Sequence, residues 1–385
     1  MKKNTHKTKL LINGMGGAGW IGGLYYKRNI LFSLLSNELI SKQVAITVVT
    51  EKENAHIFST FSDKIDIKCI SYRSGREQTL KFMLQSLLSG ANVIYPHFGK
   101  RQKLLPSKGI HWIPDFQHNR LPTFFQQDEI DSRNTSFQMI ADDDCPLVLS
   151  SKASLVDFQE FYSTEKKNVY VVPFVSYIEP ELKQMEKETE ARVLEKFDLT
   201  RKRYIAVMNQ FWQHKNHMVI FKAMKKYFDA NENQDILFVF TGAVEDYRNP
   251  EYIQRLKEIM EEPHIKDHTK LLGFIDRMEQ LAVMKNAEYI IQPSLFEGWG
   301  TVVEDAKVLN KTILLSDIPV HREQKNEKCI LFDPYDAKEL AELIECENKK
   351  IHADDVSAGI ADMHSRAVEY SKGFEQLLVD MGAIV

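Results

Sequence analysis

Cysteine, long apolar runs and an excess of charge of either sign are all scarce in this sequence of 385 residues. The four cysteines are Cys69, Cys145, Cys329 and Cys346. They are scattered and form no C-x-x-C pair, which excludes a disulfide framework and a zinc site of paired cysteines. They therefore indicate free thiols in a reducing compartment.

Apolar runs are short throughout the chain. None approaches the ~20 residues needed to cross a bilayer. The amino-terminal MKKNTHKTK leads into a strand and lacks the apolar segment of a signal peptide. These absences predict a cytoplasmic protein, and they leave open a peripheral contact with the inner face of a membrane.

The charges nearly balance, with 50 Lys and Arg against 54 Asp and Glu and a formal net charge of −4. Without a basic field, nucleic acid is not expected as a partner. Hydrophobic residues make up 43% and charged residues 27%, as in ordinary soluble proteins. The length favours two domains over one.

Short apolar runs alternate with helical spacing along the chain, and the alternation occurs as two series. The first series begins at residues 10–13 and the second at 204–208. This pattern predicts an α/β fold with two Rossmann-like, doubly wound domains that face a cleft. Pro173 and Pro180 bracket the expected linker, so the predicted domains are residues 1–175 and 176–362.

Residues 289–309 contain the strongest functional signal. A short apolar strand at 289–292 ends in the loop 295–300, and helical spacing starts near Thr301. In parallel sheets, ligands lie beyond the carboxyl ends of strands, where a helix N-terminus offers free N–H groups. Glu297 places a carboxylate in this loop, and glycines allow a close approach of backbone to ligand.

The helix that follows offers two acids, Glu304 and Asp305. At about 100° per residue, Val302, Ala306 and Leu309 form the core face. Asp305 lies at the border of that face, whereas Glu304 points away from it. Asp305 is therefore the predicted second carboxylate of the site, and Glu304 is expected to be solvated at the helix start.

Residues 209–217 form a second candidate segment, between a strand and a helix, where an anion is favoured. Lys215 would supply a point charge for a phosphate. His214 and His217 could bind a metal, but Lys215 between them disfavours a cation. Residues 142–144 are three aspartates, which we interpret as a solvated helix end and not as a metal clamp.

Gly14-x-Gly16-x-x-Gly19 follows the first strand and opens a helix, as a dinucleotide-binding fingerprint does. An NAD enzyme needs an acid about 20 residues further on. Glu51 stands 32 residues past Gly19, which is late. An NAD(P)-dependent oxidoreductase and a merely structural turn both stay open as alternatives.

The run Glu297-Gly298-Trp299-Gly300, with an acid eight positions after Glu297 at Asp305, resembles the donor site of retaining GT-B glycosyltransferases of family 4. The family usually has Glu at the second position, and its role there is contact with the nucleotide ribose. Residues 314–323 also resemble family sequence, as do several segments along most of the chain.

The resemblance implies further roles. Glu297 would hold sugar hydroxyls, and Lys215 with the backbone of Gly298, Trp299 and Gly300 would stabilise the departing diphosphate. In the run 111–118, His118 would lie close to the donor sugar.

Other positions match the family less closely. Gln210 stands where the family has an Arg on the diphosphate, and Phe274 and Ile275 correspond to the strand end beside the nucleobase. The loop of Gly16 and Gly17 would face the acceptor and the phosphate. A terminal helix at about 363–385 would pack back onto the first domain, which the resemblance makes the acceptor side.

The predicted function is therefore transfer of a sugar from a nucleotide-diphosphate sugar to a carbohydrate or lipid-linked acceptor, with retention, in polysaccharide or glycoconjugate synthesis. No cofactor and no obligatory metal are expected, because Lys215 and helix N-termini can offset the phosphate charge. Three alternatives stay open: a nucleotide-sugar epimerase of the same fold, an NAD(P)-dependent oxidoreductase, and a silent sugar-binding protein.

Overall fold

Two parallel sheets organise the chain. The computed structural model describes residues 7–16, 21–97, 107–162, 165–231 and 235–385. The amino-terminal unit takes its described residues from Met1–Phe116, Asp131–Tyr177 and Met363–Val385. The carboxyl-terminal unit consists of Gln117–Ile130 and Ile178–Asp362. The predicted α/β class with two doubly wound sheets is confirmed.

The sheet of the amino-terminal unit has the order β3-β2-β1-β4-β5-β6-β7 among the described residues, and all of its strand pairs are parallel. Its strands are β1 (Thr8–Asn13), β2 (Val44–Glu51), β3 (Asp66–Ile70), β4 (Val93–His97), β5 (Lys108–Ile113), β6 (Leu147–Leu149) and β7 (Val169–Val171).

The sheet of the carboxyl-terminal unit is also parallel, with the order β10-β9-β8-β11-β12-β13. Its strands are β8 (Tyr204–Val207), β9 (Leu237–Phe240), β10 (Thr269–Leu271), β11 (Ile290–Gln292), β12 (Ile313–Ser316) and β13 (Cys329–Phe332). The strands β8, β11 and β12 are buried throughout, which explains why they read as unbroken apolar runs and not as alternating patterns.

The helices alternate with the strands along the chain. In chain order they are α1 (Ile21–Ser36), α2 (Glu38–Gln43), α3 (Ala55–Phe58), α4 (Gly75–Ser89), α5 (Gln117–Arg120), α6 (Gln127–Asp142), α7 (Lys152–Tyr162), α8 (Glu179–Gln184), α9 (Lys187–Lys196), α10 (His217–Ala230), α11 (Pro250–Met260), α12 (Pro263–His268), α13 (Arg277–Asn286), α14 (Thr301–Val308), α15 (Pro319–Gln324), α16 (Ala337–Asn348) and α17 (Val356–Asp380).

Local sequence signals set several helix ends. The Asp276 side chain caps α13 by accepting from Glu279 N at 2.8 Å. Ser74 caps α4 by accepting from Glu77 N at 3.3 Å, and Gly90 ends that helix with a φ of 63°. These caps fix where each helix starts or stops relative to its strand.

Residues 117–130 depart from the predicted domain boundary. The prediction assigned all of residues 1–175 to the first domain, whereas Gln117–Ile130 groups with the carboxyl-terminal unit. The contacts that hold it there come from the loop after β9. Arg248 Nη2 donates to Glu129 Oε1 at 2.8 Å, and Asn249 Nδ2 donates to Phe124 O at 3.4 Å.

The end of the chain belongs to the amino-terminal unit. Asn37 Nδ2 donates to Ser371 Oγ at 3.0 Å, and Tyr170 OH donates to Asp380 Oδ2 at 2.7 Å. A Cβ on Gly373 would lie 2.5 Å from Val171 O, so α17 packs directly on the backbone of β7. Within the described residues, none of the helices is both long and apolar enough to cross a membrane.

Candidate active site

The carboxyl ends of β8, β9, β10 and β11 lie along one edge of the second sheet. Because β8 and β11 are neighbours in the strand order, the direction of winding reverses between them. Ligands of doubly wound sheets bind at such a reversal, beyond the strand ends. The loops that follow these strands, at 208–216, 241–249, 272–276 and 293–300, therefore form the candidate site.

Backbone contacts join these four loops. Gly242 has a φ of 98°, and a Cβ there would lie 2.6 Å from Gln210 Cα, so only glycine fits. Gly242 N donates to Gly273 O at 2.8 Å, and Leu295 N donates to His214 O at 2.8 Å. The side chains on these loops are thus held on a connected backbone.

Glu297 and Lys215 meet at the centre of this arrangement. Glu297 Oε1 lies 2.5 Å from Lys215 Nζ, 2.7 Å from Ser294 Oγ and 3.1 Å from Gln292 Nε2. The side chains of Lys215 and Glu297 are 20% and 11% exposed. Two residues predicted from separate segments therefore form one partly buried ion pair beside the reversal point.

A buried polar network supports the Glu297 loop. Asn209 Nδ2 donates to Gln292 Oε1 at 2.8 Å, which links the ends of β8 and β11. Ser316 Oγ donates to Ser294 O at 2.6 Å, and His321 Nδ1 lies 2.9 Å from Ser316 O. These hydrogen bonds tie the Glu297 loop to the ends of β8, β11 and β12, and a connected polar network of this kind rigidifies the loop.

The electrostatics of the site favour a charged Glu297 among neutral histidines. Burial alone would raise the pKa of Glu297, but the Lys215 ammonium and neighbouring His214 lower it to about 2. Burial lowers the pKa of His321 to about 4 and that of His214 to about 3. At neutral pH the carboxylate is ionised and both imidazoles are neutral.

The N-terminus of α14 is closed on one side by Gln324. Gly300 N donates to Gln324 Oε1 at 3.2 Å, and Gln324 Nε2 donates to Gly300 O at 2.8 Å. The Gly300 N–H was predicted to serve the departing phosphate, but the protein itself already satisfies it. Gly298 and Trp299 are buried in the same loop, and their predicted contact with phosphate stays a prediction.

The environment of Glu304 differs from the prediction. It was predicted to be solvated, yet it is 0% exposed. Its Oε1 accepts from Lys307 Nζ at 3.1 Å and from Gln324 Nε2 at 3.0 Å. The projection assumed a helix with one solvent face, whereas α14 is buried from Val303 to Val308.

Asp305 is also 0% exposed, and its carboxylate faces Arg277 at the start of α13. Arg277 Nη1 donates to Asp305 Oδ2 at 2.6 Å, and Nη2 donates to Oδ1 at 2.5 Å. Such a bidentate pair is strong and directional. The predicted direct contact of Asp305 with a ribose therefore needs revision, because Arg277 occupies both of its oxygens.

The residues predicted for the nucleobase and the diphosphate follow the other strands. Phe274 is 68% exposed, and it follows Gly273, whose φ is 68°. Ile275 is half-buried. Gln210 is exposed, and its Oε1 accepts from Trp212 Nε1 at 2.6 Å. An exposed aromatic ring beside a left-handed glycine provides a flat surface for stacking.

His118 lies on α5 and is fully buried. Its ring is edge-on to Phe125, with centroids 6.3 Å apart. The Arg248 guanidinium lies 4.5 Å from the Phe125 centroid and 4.8 Å from the Trp212 centroid. A chain of ring contacts thus joins the His118 segment to the 208–216 loop.

Gly16 lies after β1 in the amino-terminal unit. Its N–H donates to both Glu51 oxygens, at 3.2 and 3.3 Å, and Asn54 Nδ2 donates to Gly16 O at 2.9 Å. Glu51 is therefore engaged with the glycine loop, whereas an NAD enzyme would use such an acid for a ribose. This contact counts against the oxidoreductase alternative. Gly17 and Gly19 lie outside the described residues.

One cluster of potential metal ligands occurs among the described residues. Ligand atoms of His111, Asp143 and Cys145 lie within 4.8 Å of one another. Lys166 Nζ donates to Asp143 O, so a positive charge already adjoins the cluster. Asp142 and Asp144 are exposed, as expected for a helix end, but Asp143 is partly buried. We assign no metal to this cluster.

Sequence reasoning missed Arg277, Gln292, Ser294 and Gln324. Gln292 and Ser294 carried a usable signal, because polar side chains at the end of a buried strand face the ligand edge of the sheet. Arg277 carried a similar signal, because it stands next to Asp276, the residue that caps the helix after β10. Gln324 carried none, since its contact with Gly300 spans 24 residues.

Comparison with known proteins agrees with this geometry. Residues 189–350 match the family model described as Glycosyl transferases group 1. A stretch of 135 residues is 24% identical to the O-antigen chain mannosyltransferase RfbU of Salmonella typhimurium, and it covers 35% of each protein. The chain thus spans about a third of the length of that curated relative.

Solved structures share the fold over nearly the whole chain. Anabaena HepE, solved in complex with UDP-glucose, has a TM-score of 0.65 and 13% identity, covering 98% of this chain and 100% of that one. A glycosyltransferase from Rickettsia africae ESF-5 has a TM-score of 0.61 and 14% identity, with 98% and 97% covered. The chain therefore has the fold of GT-B glycosyltransferases, and its residues 189–350 match the glycosyl transferases group 1 model.

Proposed function

We propose that this protein transfers a sugar from a nucleoside diphosphate sugar to a carbohydrate or lipid-linked acceptor. The observation that carries the proposal is the Lys215–Glu297 pair beside the β8–β11 reversal. One residue is a cation suited to phosphate, and the other is a carboxylate suited to sugar hydroxyls. The group 1 domain and the similarity to HepE support the same reading.

Transfer of a sugar from a nucleoside diphosphate requires stabilisation of the charges that develop in the transition state. Negative charge builds on the departing diphosphate and positive charge on the anomeric carbon, so preorganised dipoles and charges lower the barrier. Lys215 would share its protons between the phosphate and Glu297. The three hydrogen bonds described above all go to Glu297 Oε1. The other oxygen, Glu297 Oε2, would accept a hydrogen bond from a sugar hydroxyl.

The revised contact with the ribose runs through Arg277. Asp305 would orient the guanidinium, and Arg277 would donate to the ribose oxygens in place of the acid that the family uses there. Phe274 and Ile275 would flank the nucleobase, and Gln210 would contact the diphosphate without a charge. His118 would approach the sugar, and Gly16 would lie on the acceptor side.

Finer features of the proposal rest on the resemblance to family 4. They are retention of anomeric configuration, a role in polysaccharide synthesis, a cytoplasmic location and the absence of an obligatory metal or cofactor. A lipid-linked acceptor would bring the protein to a membrane surface, and contact with that surface is part of the proposal.

A thermal-shift panel of nucleotides and nucleotide sugars tests the donor class. A ligand at about 100 times its dissociation constant stabilises the fold by about 2.7 kcal/mol, which such a panel detects. We expect a nucleoside diphosphate and its sugar to raise the melting temperature. Stabilisation by NAD(P) with none by any sugar nucleotide would overturn the proposal.

Product analysis separates the remaining alternatives. A transferase releases a nucleoside diphosphate and extends an acceptor. An epimerase converts the donor sugar when no acceptor is present, and a silent binding protein changes neither. Either of these last two results would replace the proposed activity.

A further inference from the structure

Residues 117–130 are a short excursion of the chain into the carboxyl-terminal unit. The chain up to Phe116 and again from Asp131 belongs to the amino-terminal unit, whereas the segment itself groups with the candidate site. It consists of α5, a single helical turn at Pro122–Phe124 and the first turn of α6. Helical pieces this short have little stability of their own, so side-chain contacts must hold the segment in place.

Arg248, on the loop after β9, supplies the main polar contact with this segment. Its Nε donates to Glu129 Oε2 at 3.1 Å, and its Nη2 donates to Glu129 Oε1 at 2.8 Å. The two side chains are 11% and 25% exposed. A two-point pair of this kind is strong and directional. The neighbouring Asn249 adds a bond to Phe124 O at 3.4 Å.

Three aromatic rings surround the Arg248 guanidinium. Its central carbon lies 4.5 Å from the Phe125 centroid, 4.8 Å from that of Trp212 and 5.2 Å from that of Tyr247. These are distances of cation–π contacts. Phe125 belongs to the segment and Trp212 to the 208–216 loop. The guanidinium therefore joins the segment to a loop of the candidate site.

The buried Asp246 fixes the backbone of the Arg248 loop. Asp246 Oδ1 accepts from Arg248 N at 3.0 Å, and its Oδ2 accepts from Gln213 N at 2.9 Å. Lys215 N in turn donates to Trp212 O at 2.8 Å. The loop that carries the proposed phosphate lysine and the loop that carries Arg248 are thus connected directly.

His118 is the residue of the segment that the proposed function uses. It is 0% exposed, and its ring is edge-on to Phe125. Phe125 in turn lies under the Arg248 guanidinium. A displacement of Phe125 therefore moves the His118 ring or opens a gap beside it.

We infer that Arg248 is a positioning residue, which fixes residues 117–130, and with them His118, against the loops of the candidate site. This role rests on the proposed function, because His118 is used only if the protein transfers a sugar. Lysine cannot replace Arg248, since an ammonium makes no planar two-point pair and does not stack as a guanidinium does. A misplacement of about 1 Å in an active site costs up to about 100-fold in rate.

Hydrogen–deuterium exchange of the full chain tests the anchoring without any substrate. In Arg248→Lys, peptides that cover 117–130 should exchange at least about tenfold faster than in the unchanged protein, because the segment opens more often. Peptides of α10 should exchange equally in both proteins, which shows that the unit is folded. The matched control is Arg203→Lys, since Arg203 pairs with Glu288 at the amino end of β8, the opposite end from the site.

Binding and turnover test the positioning. The binding probes are UDP and GDP, and the turnover probe is the sugar nucleotide that stabilises the protein most in the thermal-shift panel. Arg248→Lys should lower kcat by about 10- to 100-fold. The dissociation constant of the nucleoside diphosphate should stay within about twofold, because Lys215 and not Arg248 meets the phosphate.

A double-mutant cycle adds a readout that a purely structural role would not change. His118→Ala should cost less turnover in the Arg248→Lys protein than in the unchanged protein, because the ring is already misplaced there. Arg203→Lys should leave exchange, affinity and kcat unchanged.

Unchanged exchange of 117–130 in Arg248→Lys would overturn the inference, because other contacts would then hold the segment. A normal kcat, or costs of the two substitutions that simply add, would make Arg248 purely structural. A loss of nucleoside diphosphate affinity would place Arg248 on the phosphate itself. If no sugar nucleotide binds, the proposed function fails and the positioning role with it, while the exchange result still decides the anchoring.

Discussion

Lys215 Nζ lies 2.5 Å from Glu297 Oε1, although 82 residues separate them in the chain. The pair forms because β8 and β11 are neighbours in the sheet and each residue follows the end of its strand. In a partly buried position the two charges hold each other, and a phosphate that enters the site competes for the lysine. The ion pair therefore places both charges at the candidate site in the structure without a donor.

Replacement of Lys215 by Ala should weaken nucleoside diphosphate binding by about 10- to 100-fold, as loss of a charge-assisted hydrogen bond does. The measurement is the dissociation constant by calorimetry. Lys225→Ala is the control, since this exposed lysine on α10 pairs with Glu262 at the surface. Equal affinities for Lys215→Ala and the unchanged protein would remove Lys215 from the phosphate site.

Replacement of Glu297 by Ala should lower kcat by about two orders of magnitude or more, because an oriented polar contact with the sugar is lost. Glu258→Ala, an exposed acid on α11, is the control. The pKa of Glu297 is about 2, so this carboxylate is ionised throughout the usual assay range. A pH profile of kcat/KM should thus show no acid limb from Glu297. Near-normal turnover in Glu297→Ala would contradict its role.

The bidentate pair of Arg277 and Asp305 gives a third prediction. Arg277→Lys keeps the charge but loses the two-point geometry, and we expect it to weaken nucleotide binding by about tenfold. Asp317→Asn is a matched control, because Arg322 makes an exposed two-point contact with Asp317. A lower melting temperature with unchanged nucleotide affinity would make the Arg277 pair purely structural.

The sequence predicted the fold class and the segments of the site better than it predicted contacts within the site. Lys215 and Glu297 could be found because each follows a buried strand, and strand ends share one edge of the sheet. Glu304 was misjudged because a helical projection assumes one solvent side, whereas α14 has none from Val303 to Val308. Arg277 was missed because its partner, Asp305, lies 28 residues away on another helix.

Two buried histidines should make stability depend on pH. Burial lowers the pKa of His217 to about 3 and that of His321 to about 4, from an ordinary value of 6.5. Below pH 6.5 the unfolded chain binds protons that the folded chain does not, so the free energy of unfolding falls as the pH falls toward 4. Above pH 6.5 this contribution is constant.

Urea unfolding at about pH 7 and about pH 5 measures this effect, and each histidine contributes a slope of about 1.4 kcal/mol per pH unit. His217→Phe should reduce this loss of stability, because it removes one of the titrating imidazoles. The new ring can stack on Phe211 as the imidazole does, with centroids 4.1 Å apart, so the packing is kept. His264→Phe, at an exposed position, should leave the loss unchanged. A similar loss of unfolding free energy in the unchanged protein, His217→Phe and His264→Phe would show that groups other than His217 cause it.

Glycine in α17 should be required where the helix meets β7. A Cβ on Gly373 would lie 2.5 Å from Val171 O, so Gly373→Ala should destabilise the protein by about 1–3 kcal/mol. Gly22 on α1 has no atom within 4 Å of such a Cβ, so Gly22→Ala should be neutral or slightly stabilising. Denaturant midpoints measure both effects. Equal midpoints for Gly373→Ala and the unchanged protein would mean that α17 can move away from β7 without loss of stability.

The return of Met363–Val385 to the first sheet has a consequence for biosynthesis. The ribosome makes residues 7–177 early, but the helix that covers Tyr95 and Tyr170 is made only after the whole second unit. Because synthesis proceeds at about 5–20 residues per second, the first sheet lacks this helix for many seconds after its own strands have been made. A fragment that stops near residue 177 should therefore expose the apolar surface that Phe374 and Leu377 bury, and it should depend on chaperones or aggregate.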